Sequence, residues 1–177
     1  MPVLRADTSL LLVIDVQARL MPAIDGADAV IAQARRLREA ATMLDVPALF
    51  TEQNPNGLGP TVTGLPTGDV PVIAKMTFDA VRAPGFLDRL PPRPDVVVAG
   101  CEAHVCVLQT VLGLLAAGRR VFVVRDAIGA RRAESKETAI GRMARNGAEI
   151  VTTEMVVFEW LGTAEHPRFR AAVSLVK

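Results

Sequence analysis

The feature that most constrains the fold of this chain is a series of six short apolar runs, most of them unbroken by polar residues. The runs are rich in Val, Ile and Leu and cover residues 10–14, 47–50, 70–74, 96–99, 121–124 and 149–151. A strand with one solvated face alternates apolar and polar residues, so an unbroken run predicts a strand that is covered on both faces. Strands of this kind are typical of parallel sheets.

Helical patterns lie between these runs. They cover residues 30–44, 105–117 and a segment around 140–146, and a glycine follows the last two. Because strands and helices alternate, we expect an α/β fold in which a parallel sheet carries helices on both faces. The Pro- and Gly-rich stretches 54–68 and 83–94 are expected to be loops. Sheets of this kind bind ligands beyond the carboxyl ends of their strands.

The composition disfavours several classes of protein. The chain has 177 residues, half of them apolar, so we expect a single domain over residues 1–177. Its net charge of +1 offers no broad positive surface, so neither nucleic acid nor an anionic membrane is expected as a partner. The first apolar run stops at Asp15, and no run approaches the roughly 18 residues of a membrane helix. We therefore expect a soluble, cytoplasmic protein.

Two charged residues directly follow apolar strands. Asp15 ends the run LLVID, and Lys75 ends VPVIAK. A carboxylate in that position is either a partly buried acid suited to proton transfer or a helix cap or ion-pair partner. An ammonium there either has a carboxylate nearby or is exposed to solvent. The residues alone leave both alternatives open.

The most specific signal for chemistry is Cys106. The run VVVAGCEAHVCVLQT passes from a strand through a glycine turn into a helix, so Cys106 is predicted in the first helical turn. Unpaired backbone N–H groups and the helix dipole favour a thiolate there, as expected for a nucleophile. The alternative is a small buried hydrophobic residue, and Cys101, inside the turn, fits that description better.

The segments around these residues resemble a known family. Asp15 and Lys75 after apolar strands, together with GCEAHVCV at 100–107, look like the catalytic frame of the isochorismatase-like cysteine hydrolases. TEQNPNGLGPTV at 51–62 and EAHVCVLQT at 102–110 are similar to the isochorismatase-domain-containing subgroup. The resemblance extends over most of the chain. It implies a three-layer α/β sandwich with a six-stranded parallel sheet.

The resemblance also implies a nucleophilic mechanism on a small amide. Cys106 would attack the carbonyl carbon, Asp15 would take the thiol proton and pass it to the leaving group, and Lys75 would hold Asp15. A thioester would form, and water would hydrolyse it. A cis peptide would precede Glu102, and an oxyanion hole beside Cys101 would use the backbone N–H groups of Glu102 and Cys106.

The sequence departs from metal-containing relatives. Those of the nicotinamidase type hold a metal through an Asp-x-His pair after the second strand and a further histidine. The matching residues here are 50–53, reading FTEQ, and the two histidines of the chain are His104 and His166. We therefore expect no metal and no other cofactor. Relatives that cleave a vinyl ether lack the cysteine nucleophile, so Cys106 favours cleavage of a C–N bond.

Further residues are candidates for contacting the substrate. Glu52 and Gln53 end a strand beside a loop, where hydrogen bonding within the loop is the alternative. Phe78 is either a pocket wall or a core aromatic, and His104 is either a substrate contact or a structural residue. The arginines at 131 and 132 are either contacts for a substrate carboxylate or solvated charges.

The sequence thus predicts a metal-independent cysteine hydrolase with a small-molecule substrate. The alternatives are a binding or scaffold protein that keeps the fold without turnover, an ether hydrolase of the isochorismatase type, and a redox-sensing thiol protein. The helix over residues 105–115 is apolar around most of its circumference, and members of the family form homo-oligomers. We therefore expect a homo-oligomer.

Overall fold

Six strands form one sheet in the computed structural model, which describes residues 3–177. Neighbouring strands are parallel throughout, in the order β3-β2-β1-β4-β5-β6. The prediction of a six-stranded parallel sheet is therefore confirmed. The strands are β1 (Ser9–Ile14), β2 (Ala48–Gln53), β3 (Val72–Lys75), β4 (Asp95–Cys101), β5 (Arg120–Gly129) and β6 (Glu149–Val151).

Helices cover both faces of this sheet. One core layer joins the sheet to α1, α6 and α7, and a second joins the opposite face to α3, α4 and α5. The three-layer α/β arrangement is thereby confirmed. The helices are α1 (Ala27–Met43), α2 (Pro55–Leu58), α3 (Phe86–Arg89), α4 (Leu108–Ala116), α5 (Ala133–Arg145), α6 (Thr153–Leu161) and α7 (Phe169–Val176), with 3₁₀ turns at Ala6–Thr8, Met21–Ala23 and Ala80–Arg82.

The strand β1 shows why its apolar run is unbroken. Leu10 and Leu12 belong to the core layer of α4 and α5, whereas Leu11 and Val13 belong to the layer of α1. Successive side chains of a strand point to opposite faces, so both faces of β1 need apolar residues. All six residues of the strand are buried.

Gly100 allows β4 to lie close to β1 at the carboxyl edge of the sheet. It pairs with Ile14, its φ is +122°, and a Cβ at this position would overlap the carbonyl oxygen of Ile14. Only glycine adopts such a conformation without steric conflict. The close approach brings the residues that follow β4 next to Asp15.

The segment after β4 differs from the expected regular helix. Residues Ala103–Val107 form a single π-helical turn in which the Glu102 carbonyl accepts the N–H of Val107, and α4 begins only after it. Such turns are rare and occur frequently at functional sites. Helices α6 and α7 had no counterpart among the predicted elements, although the loops containing α2 and α3 were predicted. No helix within residues 3–177 is long and apolar enough to cross a membrane.

Candidate active site

A buried ion pair lies at the carboxyl edge of the sheet. Asp15 directly follows β1, and Lys75 ends β3, the second strand along the sheet from β1. The Lys75 Nζ atom lies 2.7 Å from Asp15 Oδ2, and neither side chain is exposed to solvent. The structure therefore brings together two residues that are 60 positions apart in the chain. Their approach follows from parallel pairing, which gathers the carboxyl ends of the strands at one edge.

The second oxygen of the Asp15 carboxylate also has a partner. Thr51, in the intervening strand β2, donates a hydrogen bond from Oγ1 to Asp15 Oδ1 at 2.6 Å. The backbone of Asp15 is left-handed, with φ +50°, and its N–H donates to the Thr51 carbonyl at 3.1 Å. Both carboxylate oxygens are thus engaged, which fixes the direction of the carboxylate in the dry interior.

Lys75 is oriented by the loop that follows it. Its ammonium donates to the carbonyl oxygens of Thr77 at 3.2 Å and Phe78 at 3.5 Å, in addition to Asp15. The Thr110 hydroxyl of α4 donates to the same Phe78 carbonyl at 3.4 Å and accepts the N–H of Ala80 at 3.0 Å. This loop is therefore tied both to Lys75 and to the helix that follows Cys106.

Cys106 lies beside the ion pair. The charges of both Asp15 and Lys75 act on its thiol, and the residue is 7% exposed. Burial and, to a lesser extent, the Asp15 charge raise the pKa of the Cys106 thiol to about 12, and Lys75 opposes the rise. This raised pKa opposes the thiolate that a helix terminus would favour, and it places the thiol proton next to a carboxylate that can accept it.

Glu102 begins the turn that carries Cys106. The peptide bond between Cys101 and Glu102 is cis, as the family resemblance implied. The Glu102 carbonyl accepts the N–H groups of Val105 and Val107, which closes the turn. Its carboxylate accepts a hydrogen bond from Arg131 Nε at 2.9 Å, and its side chain is 11% exposed. The side chain of Glu102 therefore points toward the segment between β5 and α5.

Cys101 is separated from Cys106 by the sheet. Its side chain is fully buried in the core layer of α1, whereas Cys106 belongs to the layer of α4 and α5. Burial raises the pKa of the Cys101 thiol to about 12, against a hydrogen bond from the Gly129 backbone. Both cysteines are free. Only the backbone of Cys101 is placed near the nucleophile.

The three candidates from β2 and the loop after β3 make different contacts. Glu52 accepts two hydrogen bonds from Thr61, one from the backbone N–H at 2.7 Å and one from the hydroxyl at 2.8 Å, so it anchors the long loop. The Gln53 side chain donates to the Met76 carbonyl at 3.3 Å at the surface. The Phe78 side chain is half exposed. Among the described residues, none of these three side chains forms a hydrogen bond with Cys106, and their substrate contacts stay predictions.

Two residues that the sequence analysis did not single out support the site. One is Thr51, and the other is Gln17, a fully buried amide two residues after Asp15. Gln17 donates to the carbonyls of Gln53 at 3.1 Å and Gly59 at 2.7 Å and accepts the Gln53 N–H at 2.8 Å. Polar residues at the end of an otherwise apolar strand were the available signal, because a buried polar group needs partners.

His104 lies on the side of the turn that faces α5. It lines a cavity of about 370 Å³ together with Arg131, Arg132 and Ser135. Within the described part of the chain, no group of three or more His, Cys, Asp or Glu side chains is arranged to hold a metal ion. A larger cavity of about 1000 Å³ lies at the opposite edge of the sheet, where Ala48 and Pro94 mark the amino ends of β2 and β4.

Comparisons of the sequence identify its relatives. Residues 9–155 match the model of the isochorismatase domain. The chain is 36% identical over 171 residues to human isochorismatase domain-containing protein 2, covering 96% of this chain and 83% of that protein. It is 37% identical over 166 residues to isochorismatase domain-containing protein 1 of Salmo salar, covering 92% of this chain. It spans only 59% of the length of that relative.

Solved structures show the same fold. The MAR1 ribonuclease of Caenorhabditis elegans superposes with a TM-score of 0.94 at 35% identity, covering 99% of this chain and 92% of that chain. The YcaC gene product of Escherichia coli, described as an octameric hydrolase of unknown specificity, gives a TM-score of 0.92 at 25% identity, covering 99% of this chain and 89% of that chain.

Proposed function

The chain belongs to the isochorismatase domain family, and from that membership we propose that it is a metal-independent cysteine hydrolase that cleaves the C–N bond of a small amide. The observation that carries the proposal is the buried Asp15–Lys75 pair, 2.7 Å apart, with the Cys106 thiol beside it. A nucleophile, a base within its reach and a group that orients the base are the parts that covalent catalysis requires.

The first chemical step is the attack of Cys106 on the amide carbonyl carbon. Asp15 accepts the thiol proton as the C–S bond forms, and the carbonyl oxygen takes the negative charge. Because the pKa of the thiol is about 12, a preformed thiolate is scarce at neutral pH, and proton transfer to a base must accompany the attack. Lys75 holds the Asp15 carboxylate in place by its charge and its hydrogen bond.

The second step breaks the C–N bond. The tetrahedral intermediate collapses, the proton on Asp15 passes to the departing nitrogen, and a thioester to Cys106 remains. Water, deprotonated by Asp15, then attacks the thioester, which releases a carboxylic acid and restores the thiol. The backbone N–H groups of Glu102 and Cys106 are the proposed oxyanion donors; removing one such donor in a hydrolase typically costs about 3 kcal/mol of transition-state stabilisation.

A panel of small amides tests the proposal, with release of ammonia or amine as the measurement. Cys106→Ala is expected to abolish hydrolysis because the attacking atom is lost. Cys101→Ala is the matched control, since that thiol is buried on the other side of the sheet, and it should retain activity. Mass spectrometry of the acid-quenched wild type should show an acyl group on Cys106. Full activity of Cys106→Ala would refute the mechanism.

The role of Asp15 is tested by two measurements that should change together. Asp15→Asn removes the base, so hydrolysis should be lost. Alkylation of Cys106 by iodoacetamide also requires removal of the thiol proton, so it should become slower in the same variant. Cys101 reports on folding, because it is alkylated only if the variant unfolds. Unchanged or faster alkylation in a folded variant would mean that Asp15 acts on Cys106 only through its charge, which raises the pKa of the thiol, and would contradict its role as the base.

The alternative of a binding protein without turnover predicts a different outcome. It requires that the panel show no hydrolysis by the wild type and that Cys106→Ala retain ligand binding. A ribonuclease is a further candidate, favoured by the 35% identity to the Caenorhabditis elegans MAR1 ribonuclease. Cleavage of single-stranded RNA by the wild type and not by Cys106→Ala would support it over amide hydrolysis.

We also propose that the protein is a homo-oligomer, as the octameric YcaC gene product of Escherichia coli is. Three apolar side chains at the sheet edge formed by β3 support this, because Val72, Met76 and Phe78 are 40%, 70% and 50% exposed. Light scattering should give a mass that is a multiple of 18.9 kDa. A mass of one chain at micromolar concentration would overturn the assignment.

A further inference from the structure

The cavity beside His104 has an unusual concentration of hydrogen-bond donors. It has a volume of about 370 Å³ and is lined by His104, Arg131, Arg132 and Ser135. Two residues come from the segment between β5 and α5, one from the first turn of α5 and one from the turn that carries Cys106. Two guanidinium groups, an imidazole and a hydroxyl therefore converge on one small space.

The positive charge of this cavity is only partly compensated. Arg131 is paired with Glu102 at 2.9 Å, and its side chain is 60% exposed. Arg132 has no ion pair with any residue in the range 3–177. It is also the N-cap residue of α5, and no side chain caps the helix there. The dipole of this 13-residue helix thus adds to the positive potential at its first turn.

His104 adds an imidazole to the lining of the cavity. Its Nδ1 atom is buried away from solvent, so other atoms of the side chain form this part of the cavity wall. A ligand in the cavity would therefore lie against the imidazole ring of His104 and change its magnetic environment.

The cavity adjoins the catalytic turn. His104 is two residues before Cys106 in the π-helical turn, and Arg131 contacts Glu102, whose backbone N–H is one of the proposed oxyanion donors. A volume of about 370 Å³ is at the lower end of small-molecule pockets, which suits one end of a ligand rather than a macromolecule.

We propose that this cavity binds the anionic group, a carboxylate or a phosphate, of the molecule that Cys106 cleaves. Guanidinium groups match the oxygen spacing of both anions, and the free Arg132 can form two parallel hydrogen bonds to either. The part of the proposal that concerns the substrate rests on the proposed function. The binding of an anion in the cavity does not.

Histidine NMR tests anion binding without any assay of activity. The chain has only two histidines, so protein labelled at histidine shows the ring signals of His104 and His166 alone. Titration with succinate and, separately, with inorganic phosphate should shift the His104 signals to saturation and leave those of His166 unchanged. The probe with the lower dissociation constant identifies the preferred anion.

Arg132→Gln is the diagnostic variant because it removes the unpaired guanidinium at the surface. The dissociation constant of the better probe should rise about tenfold or more, which corresponds to the loss of a charge-assisted hydrogen bond. Arg145→Gln, at the other end of α5, is the matched control with the same change of charge and should bind as the wild type does. Unsaturable shifts, or equal affinities of the two variants, would overturn the proposal.

A kinetic comparison tests the link to the substrate. Among amides that the wild type hydrolyses, a monoamide with a free carboxylate should have a higher kcat/KM than its methyl ester, and Arg132→Gln should remove that preference. Hydrolysis without any preference leaves the proposed function intact and refutes this inference. If no amide is hydrolysed, the proposed function fails, and the His104 titration alone decides whether the cavity binds anions.

Discussion

At the scale of single residues, the Asp15–Lys75 pair combines an energetic cost with a chemical use. Moving both charges out of water is unfavourable, and their attraction offsets this only if the geometry is good and the remaining polar atoms are satisfied. Thr51 and the carbonyls of Thr77 and Phe78 satisfy them here. The result is an Asp15 carboxylate that is held in one orientation beside Cys106, the proposed nucleophile.

Breaking this pair is expected to be costly. Lys75→Met leaves the Asp15 carboxylate buried without its cation, so the free energy of unfolding should fall by about 3–5 kcal/mol, measured by urea denaturation. The matched control is Arg125→Gln, which removes the pair with Glu137, whose side chains are 48% and 52% exposed. That exposed pair should contribute less than about 1 kcal/mol.

A double variant tests whether the cost of each single change comes from the charge that it leaves buried and unpaired. Asp15→Asn with Lys75→Met removes both charges, so its cost should be well below the sum of the two single changes. Costs that simply add would show that the two side chains do not depend on each other, contrary to the 2.7 Å contact.

At the scale of elements, the sheet depends on a glycine where β4 approaches β1. Gly100→Ala places a Cβ against the backbone of Ile14, which cannot move without breaking the strand pairing. We expect this variant to be recovered as unfolded or insoluble protein. Gly118→Ala is the control, because its φ is +77° and nothing lies within 4 Å of the added Cβ. It should fold with a loss of about 1–2 kcal/mol, measured by thermal unfolding.

Most elements could be predicted from the sequence because their apolar patterns are local. The predicted strand at 149–151 coincides with β6. The predicted helix over 30–44 ends one residue after α1 does. Helices α6 and α7 were missed, although Val156, Val157 and Trp160 have helical spacing and the Thr152 hydroxyl accepts the Met155 N–H as an N-cap. The π-helical turn has no sequence signature, since it depends on how the chain leaves β4.

At the scale of the whole molecule, the two buried thiols are expected to lower the free energy of unfolding as the pH becomes alkaline. Burial raises the pKa of Cys101 and of Cys106 from 9.0 to about 12, so the folded protein keeps protons that the unfolded chain releases. Their contribution to stability is complete below pH 9 and is lost as the pH rises toward 12.

The difference between two proteins isolates this effect from other groups that titrate in the same range. Urea denaturation of the wild type and of Cys101→Ala should give free energies of unfolding that converge as the pH rises from 8 to about 11. A difference that does not change with pH would mean that the Cys101 thiol ionises equally in the folded and unfolded states.

The sequence by itself determined the layers of this protein and the edge of the sheet at which its chemistry lies. Unbroken apolar runs favour coverage on both faces, and parallel strands place their carboxyl ends together. Asp15 directly follows β1, and Lys75 is the last residue of β3. Only the tertiary structure decided which atoms meet there. Thr51 reaches Asp15 from the intervening strand, burial raises the pKa of the Cys106 thiol, and Arg132 lies unpaired beside His104. The physical reason is that partners, burial and cavities are properties of segments far apart in the chain, and no local pattern of residues encodes their distances.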